Sequence, residues 1–282
     1  MRWQGNRESS NIDDRRGKGA GGLVMGGGIG TIVIAVIYLL LGGNPSDVVN
    51  QVIQQPSTES TQPRSAAEEK LALFTKVVLG LTEQVWDSIY QTEGKKYEHP
   101  TLVLFTEQTQ SGCGFASAAS GPFYCPADEQ VYIDLSFFKE LSEKFNAPGE
   151  LAMAYVIAHE VGHHIQHLTG TSAKVQNLRS SLSEKEYNKL SVKLELQADF
   201  LAGVWAHHAN KLKQIIELGD IEAALTAANA IGDDRLQQQS GGSIVPDAFT
   251  HGTSKQRMYW FKKGFETGDI KQGNTFEGSA IE

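Results

Sequence analysis

His159-Glu160-Val161-Gly162-His163 is the segment of this 282-residue chain whose residue types and spacing most directly imply chemistry. On an α-helix, residues four apart sit about 6 Å along the axis and about 40° around it, so both imidazoles leave one face. Two neutral imidazoles so placed suit a single Zn²⁺ ion. Glu160 projects beside them, where its carboxylate can take a proton from a metal-bound water.

A catalytic zinc uses three protein ligands and keeps a fourth position for water, so a further ligand must come from elsewhere. Glu195 and Asp199 are the candidates. They too are four apart, on a stretch where Leu190, Leu194, Ala198, Leu201 and Trp205 recur at helical spacing. One carboxylate can bind metal while the other accepts a hydrogen bond from a ligand histidine and fixes its tautomer. A solvated acidic edge on a surface helix is the plainer alternative.

Water attacking a carbonyl creates an oxyanion, and zinc alone rarely carries all of that charge. His251, in Phe249-Thr250-His251-Gly252-Thr253-Ser254, is the candidate catalytic donor, with Arg257 and Tyr259 behind it. The same residues read equally well as a loop histidine ahead of a core-packing aromatic helix capped by Ser254.

The elements that must position these groups follow from local pattern. Asn146 to Glu150 reads as a helix start, and Leu151, Ala154, Ala158, Val161, Ile165 and Leu168 form an apolar stripe that Gly170 ends. Gly162 costs that helix about 1 kcal/mol relative to Ala, which predicts another backbone close by. An earlier helix is expected from about Ala67 to Tyr90, with strands over Thr101–Phe105 and Val131–Leu135. His164, His167, His207 and His208 read as solvated helix residues, and Gly232-Asp233-Asp234-Arg235 as a cap and turn, with lining a cleft as the alternative.

Cys113 and Cys125 are the cysteines of the chain. An even count outside the cytoplasm favours a disulfide, with two free buried thiols as the alternative. Two thiols without neighbouring histidines do not fill a structural zinc site.

The formal charge of −8 argues against nonspecific nucleic-acid binding, which needs a basic surface. Residues 19–43 carry no charge, and Leu23–Leu41 as helix would span about 28 Å, enough to cross a bilayer. Arg2, Arg7, Arg15, Arg16 and Lys18 precede this run and the next basic residue is Arg64, which predicts a cytoplasmic N-terminus. The expected organisation is a cytoplasmic segment over 1–22, a transmembrane signal anchor over 23–41, a flexible linker over 42–66 and a folded domain over 67–282.

His159-Glu160-Val161-Gly162-His163 followed by Glu195-Leu196-Gln197-Ala198-Asp199 resembles the gluzincin arrangement of zinc peptidases. Together with Met1-Arg2-Trp3-Gln4-Gly5, Gly121-Pro122-Phe123-Tyr124-Cys125-Pro126 and His251-Gly252-Thr253-Ser254, it makes the chain similar to the bacterial neutral zinc metallopeptidase family over essentially its whole length. The resemblance implies a mainly helical α+β, zincin-like domain with a small sheet over the active-site helix, here preceded by one transmembrane helix. It implies Zn²⁺ on His159, His163 and Glu195, Asp199 behind a ligand histidine, and Glu160 as general base. Residues 130–135 would then be the edge strand that pairs with an extended substrate. The expected function is a single-pass endopeptidase of the bacterial inner membrane, its catalytic domain periplasmic, acting on peptides or unfolded protein. A non-catalytic interaction module on the same scaffold, and an amidase acting on cell-wall material, are the alternatives.

Overall fold

Short strands and long helices share the chain, and the helices dominate. The computed structural model describes residues 1–17, 64–117, 120–239 and 244–277. Strand β1 (Ile12–Asp14) precedes helix α1 (Ala66–Thr92), then β2 (Thr101–Phe105), β3 (Gln108–Ser111), β4 (Gly114–Ser117), β5 (Phe123–Cys125) and β6 (Gln130–Asp134). Helices α2 (Ser136–Glu143), α3 (Glu150–Leu168), α4 (Thr171–Asn177), α5 (Glu184–Lys213), α6 (Asp220–Ala230), α7 (Asp233–Gln239) and α8 (Ser254–Thr267) follow. The fold is α+β and mainly helical.

The main sheet has the order β1-β2-β6-β5, with β5 antiparallel to β6 and the other pairs parallel. Side chains alternate across it. Leu102, Leu104, Val131 and Ile133 enter the main core, while Val103, Phe105, Tyr132 and Cys125 form a second cluster on the opposite face. Both faces are therefore covered, which explains why Thr101–Phe105 reads as a nearly continuous apolar run. β6 lies inside the sheet, paired on both sides, so residues 130–135 are not its edge; β5 is.

Helix α3 runs through the middle of the molecule. It starts at Glu150 with Gly149 as its cap residue at φ 124°, not at Asn146, and Gly170 follows its end at φ 72°. Residues on nearly every side of it are buried, including Tyr155, Ile157, His164 and Gln166. Its packing against α5 depends on Gly162. A Cβ there would lie 3.0 Å from the Ala198 carbonyl oxygen, so only a bare Cα lets the two backbones approach this closely. Helix α5 meets α8 through the reciprocal pair Gly203 and Gly264, where any methyl group would strike the facing backbone. Capping boxes at Ser183/Glu186 and Thr253/Gln256 satisfy the first turns of α5 and α8; Thr253, not Ser254, is the cap residue of α8. Burial of Phe200, Trp205, Tyr155 and Phe261 between these helices contributes on the order of 2 kcal/mol per side chain.

The N-terminal residues correct the expected topology. β1 pairs with β2 in the main sheet, and Trp3 is 3% exposed, packed edge-on against Phe74 of α1. Arg16 is buried against Asp14 and Glu68, and Arg64 reaches Asp14 at 3.1 Å. Residues 1–17 and those from 64 onward thus belong to one body. A single membrane crossing between them would put these partners on opposite sides of a bilayer. Among the described residues no helix is long and apolar enough to cross a membrane. The transmembrane helix in the expected fold, and the single-pass inner-membrane placement with a cytoplasmic N-terminus and periplasmic domain, are overturned. Residues 23–41, and 42–66 apart from the last three, lie outside the described residues.

Candidate active site

Crossing of α3 and α5 brings the predicted donors together. His159 Nε2 lies 3.2 Å from Glu195 Oε2, and His163 Nε2 lies 3.4 Å from Glu195 Oε1. One donor atom from each of the three residues falls within 4.8 Å of the others. Two imidazole nitrogens and one carboxylate at this separation are the donor set and size that Zn²⁺ takes. The other ring nitrogen of each histidine is already engaged, which leaves the inward-facing Nε2 atoms for a metal.

The electrostatics suit a cation at the same point. Burial alone would favour the neutral forms of all three groups. Mutual attraction overrides it: His159 is raised to about 10, chiefly by Asp199 and then Glu195, and His163 is raised by Glu195. The two imidazoles hold Glu195 well below the usual carboxylate range. A divalent ion would replace the protons that these groups otherwise share.

Behind His159 stands a buried network. Its Nδ1 lies 2.9 Å from Asp199 Oδ1, and Asp199 also accepts from the Tyr155 hydroxyl. Arg257 of α8 donates to both Asp199 oxygens, at 2.8 and 2.9 Å, and to the Ile231 carbonyl at 3.2 Å. Burial would raise the Asp199 pKa, but Arg257 and His159 hold it below its ordinary value, so the carboxylate is an anion accepting from His159. His163 Nδ1 instead meets a neutral acceptor, Gln166 Oε1, at 2.9 Å.

A cleft of about 630 Å³ opens over these groups. His159, Glu160, His163 and Glu195 line one part of it, residues 120–124 with Pro126 another, and His251 faces in from the loop before α8. His251 is held from behind by Asp233. One Asp233 oxygen accepts the backbone N–H groups of Thr250, His251 and Gly252 at 2.7, 2.6 and 3.0 Å. The other lies 3.0 Å from His251 Nδ1. That hydrogen bond raises the His251 pKa against the opposing effect of burial, and the Glu195 charge adds to it.

Of the residues expected near His251, Arg257 is spent on Asp199, and Tyr259 is 43% exposed, packed edge-on to Trp260 and outside the cleft lining. His164 is fully buried, not solvated, bonded to the Tyr124 hydroxyl and the Glu98 carbonyl. His207 and His208 bond the carbonyls of Phe265 and Gly268. Asp233 and Asp234 do more than cap a turn, since Asp234 also accepts from Ser254. Local signals exist for two further residues: Tyr155 stands four before His159, and Gln166 three after His163, each on a histidine's own helical face. Cys113 and Cys125 form a disulfide that ties the β3–β4 turn to the edge strand β5.

A helix bearing paired histidines, crossed by a helix bearing a carboxylate over an open cleft, is an arrangement that can hold a zinc ion. The chain belongs to the family described as "Putative neutral zinc metallopeptidase", which matches residues 1–276. It is 48% identical over 285 residues to the uncharacterized protein YpfJ of Escherichia coli K12, covering 98% of this chain and 99% of that one. It is 36% identical over 259 residues to the uncharacterized protein Rv2575 of Mycobacterium tuberculosis H37Rv, covering 86% of each. No solved structure matches the chain.

Proposed function

We propose that the protein is a zinc-dependent endopeptidase whose metal is held by His159, His163 and Glu195. The observation that carries this reading is their convergence within 4.8 Å on the wall of a cleft that Glu160 also lines. Zinc bound there would polarise a water and bring its pKa to about 7. Glu160, on the same cleft wall, would be the group that accepts a proton from the attacking water and returns it to the leaving amine. When protonated, His251 gives Nδ1–H to Asp233 and has Nε2–H left to donate to the oxyanion that forms on the attacked carbonyl. Asp199 orients His159 from behind and carries no proton in the reaction.

Strand β5 is where an extended peptide would lie. It is the antiparallel edge of the sheet, and residues 121–124 line the cleft. Backbone groups on a free strand edge grip any peptide, and the cleft side chains select among them.

The test is hydrolysis of an unfolded protein and of a peptide library by the full chain. Activity should disappear on chelation, return with stoichiometric zinc, and be absent from His163→Ala. Hydrolysis indifferent to chelation would refute the metal role. Cleavage of cell-wall amides with none of peptides would retain the metal chemistry and refute the peptide substrate.

A further inference from the structure

We propose that Gln166 is a positioning residue that fixes His163 as a metal ligand, its orientation dictated by the backbone carbonyls of Leu194 and, through Gln197, of Gly273. This rests on His163 being a ligand, as above. The direction of each hydrogen bond follows from groups that cannot change role. A peptide carbonyl only accepts. Gln197 Nε2 lies 3.0 Å from the Gly273 carbonyl oxygen, so the Gln197 amide nitrogen must point there and its Oε1 must point back. That oxygen lies 3.1 Å from Gln166 Nε2, and the same nitrogen lies 2.7 Å from the Leu194 carbonyl oxygen.

Both protons of the Gln166 amide are thereby used, and its Oε1 is left facing His163 Nδ1 at 2.9 Å, able only to accept. His163 must therefore carry its proton on Nδ1. Nε2, 3.4 Å from Glu195 Oε1, is then the nitrogen left to offer its lone pair once a metal replaces the proton shared there. A flipped Gln166 would present an NH₂ group to Nδ1, push the proton to Nε2 and remove the ligand. Gln166 is 1% exposed, so its amide is satisfied by these protein groups and not by bulk water.

The two ligand histidines are thus oriented by different means. His159 leans on an anion that Arg257 neutralises, whereas His163 leans on an amide and gains orientation without added charge. The segment after α8 supplies one end of the second relay. Thr275 Oγ1 donates to the Lys193 carbonyl at 2.6 Å and Lys193 Nζ reaches the Phe276 carbonyl at 3.3 Å, which anchor Gly273 on α5.

The test uses the zinc-loaded full chain, ¹⁵N-labelled for imidazole NMR, with zinc affinity measured by chelator competition. The wild type should show a solvent-protected Nδ1–H signal from His163. Gln166→Met, similar in volume but a poor acceptor, should lose that signal and bind zinc roughly 10- to 100-fold more weakly. Gln166→Glu keeps an acceptor but sets an oxygen against the Leu194 carbonyl and Gln197 Oε1 in place of the amide donor, so it too should bind zinc more weakly than wild type. Gln197→Leu retains the Leu194 bond and should weaken binding less than Gln166→Met. Unchanged affinity and an intact signal in Gln166→Met would overturn the proposal. Should that variant fail to fold, absence of the signal from folded wild type would overturn it equally. Stoichiometric zinc in His163→Ala would instead refute the ligand assignment on which the proposal rests.

Discussion

Arg257 grips Asp199 with two nitrogens, Nε on Oδ2 at 2.8 Å and Nη2 on Oδ1 at 2.9 Å, where neither side chain meets appreciable solvent. The pair joins α8 to α5 directly behind His159. Breaking a buried ion pair by removing one partner strands the other charge, typically at a cost of about 3–5 kcal/mol. Arg257→Met should lower unfolding free energy by that order in urea titrations. Asp199→Asn strands the Arg257 cation in turn and keeps one acceptor for its two donors, so it too should destabilise, and wild-type stability in either variant would contradict this account.

The approach of α3 to α5 sets the distance between His163 and Glu195. Gly162→Ala presses a methyl group on the Ala198 backbone, an overpacking cost of about 1–3 kcal/mol partly offset by the about 1 kcal/mol that Ala gains in helix propensity, and should weaken zinc binding. A Gly162→Ala protein as stable and as zinc-avid as wild type would mean that the helices separate freely.

His251 and Asp233 give a pH dependence with a definite sign. The folded pKa of His251 is raised, so the stability it contributes is complete below its unfolded value near 6.5 and is lost as pH rises through the folded value. Asp233 is lowered, because its bonds to His251 and the loop outweigh burial, so its contribution is lost as pH falls through the folded value. If the imidazolium is the active donor, activity should decline on the alkaline side as His251 loses its proton. Asp233→Asn should move that limb to lower pH in a kcat/KM profile, and a limb that stays in place would exclude His251 as its source.

Reduction of Cys113–Cys125 should loosen the edge strand. Linking residues 12 apart restricts the unfolded chain, a contribution of up to about 3 kcal/mol on the chain-entropy account. Cys113→Ser/Cys125→Ser should lose stability of that order and should raise KM more than it lowers kcat, since β5 borders the cleft and carries none of the metal donors.

Local periodicity makes much of the site legible in the sequence. His159 and His163, and likewise Glu195 and Asp199, are four apart on helices whose apolar stripes are readable, and Gly162 announces the close helix pair. The pairings behind them are not legible, because the partners are separated along the chain: Arg257 lies 58 residues beyond Asp199, and His251 lies 18 beyond Asp233. Three-residue strands are too short to show alternation, so β5 goes unseen as the edge and β1 unseen altogether. Missing β1 is what lets Leu23–Leu41 suggest a single membrane crossing, since only its pairing with β2 places the N-terminal residues beside the rest of the domain. His164 reads as solvated for a similar reason: its partners Tyr124 and Glu98 are 40 and 66 residues away.

Glu160→Gln tests the central claim most directly. It preserves volume and the three metal donors while removing the base, so fold and zinc content should match wild type. Hydrolysis of unfolded protein and peptides should fall by at least about a hundredfold, the lower range for loss of a general base. Equal product profiles and rates for wild type and Glu160→Gln, with zinc present in both, would contradict the assignment of Glu160 as the group that activates water.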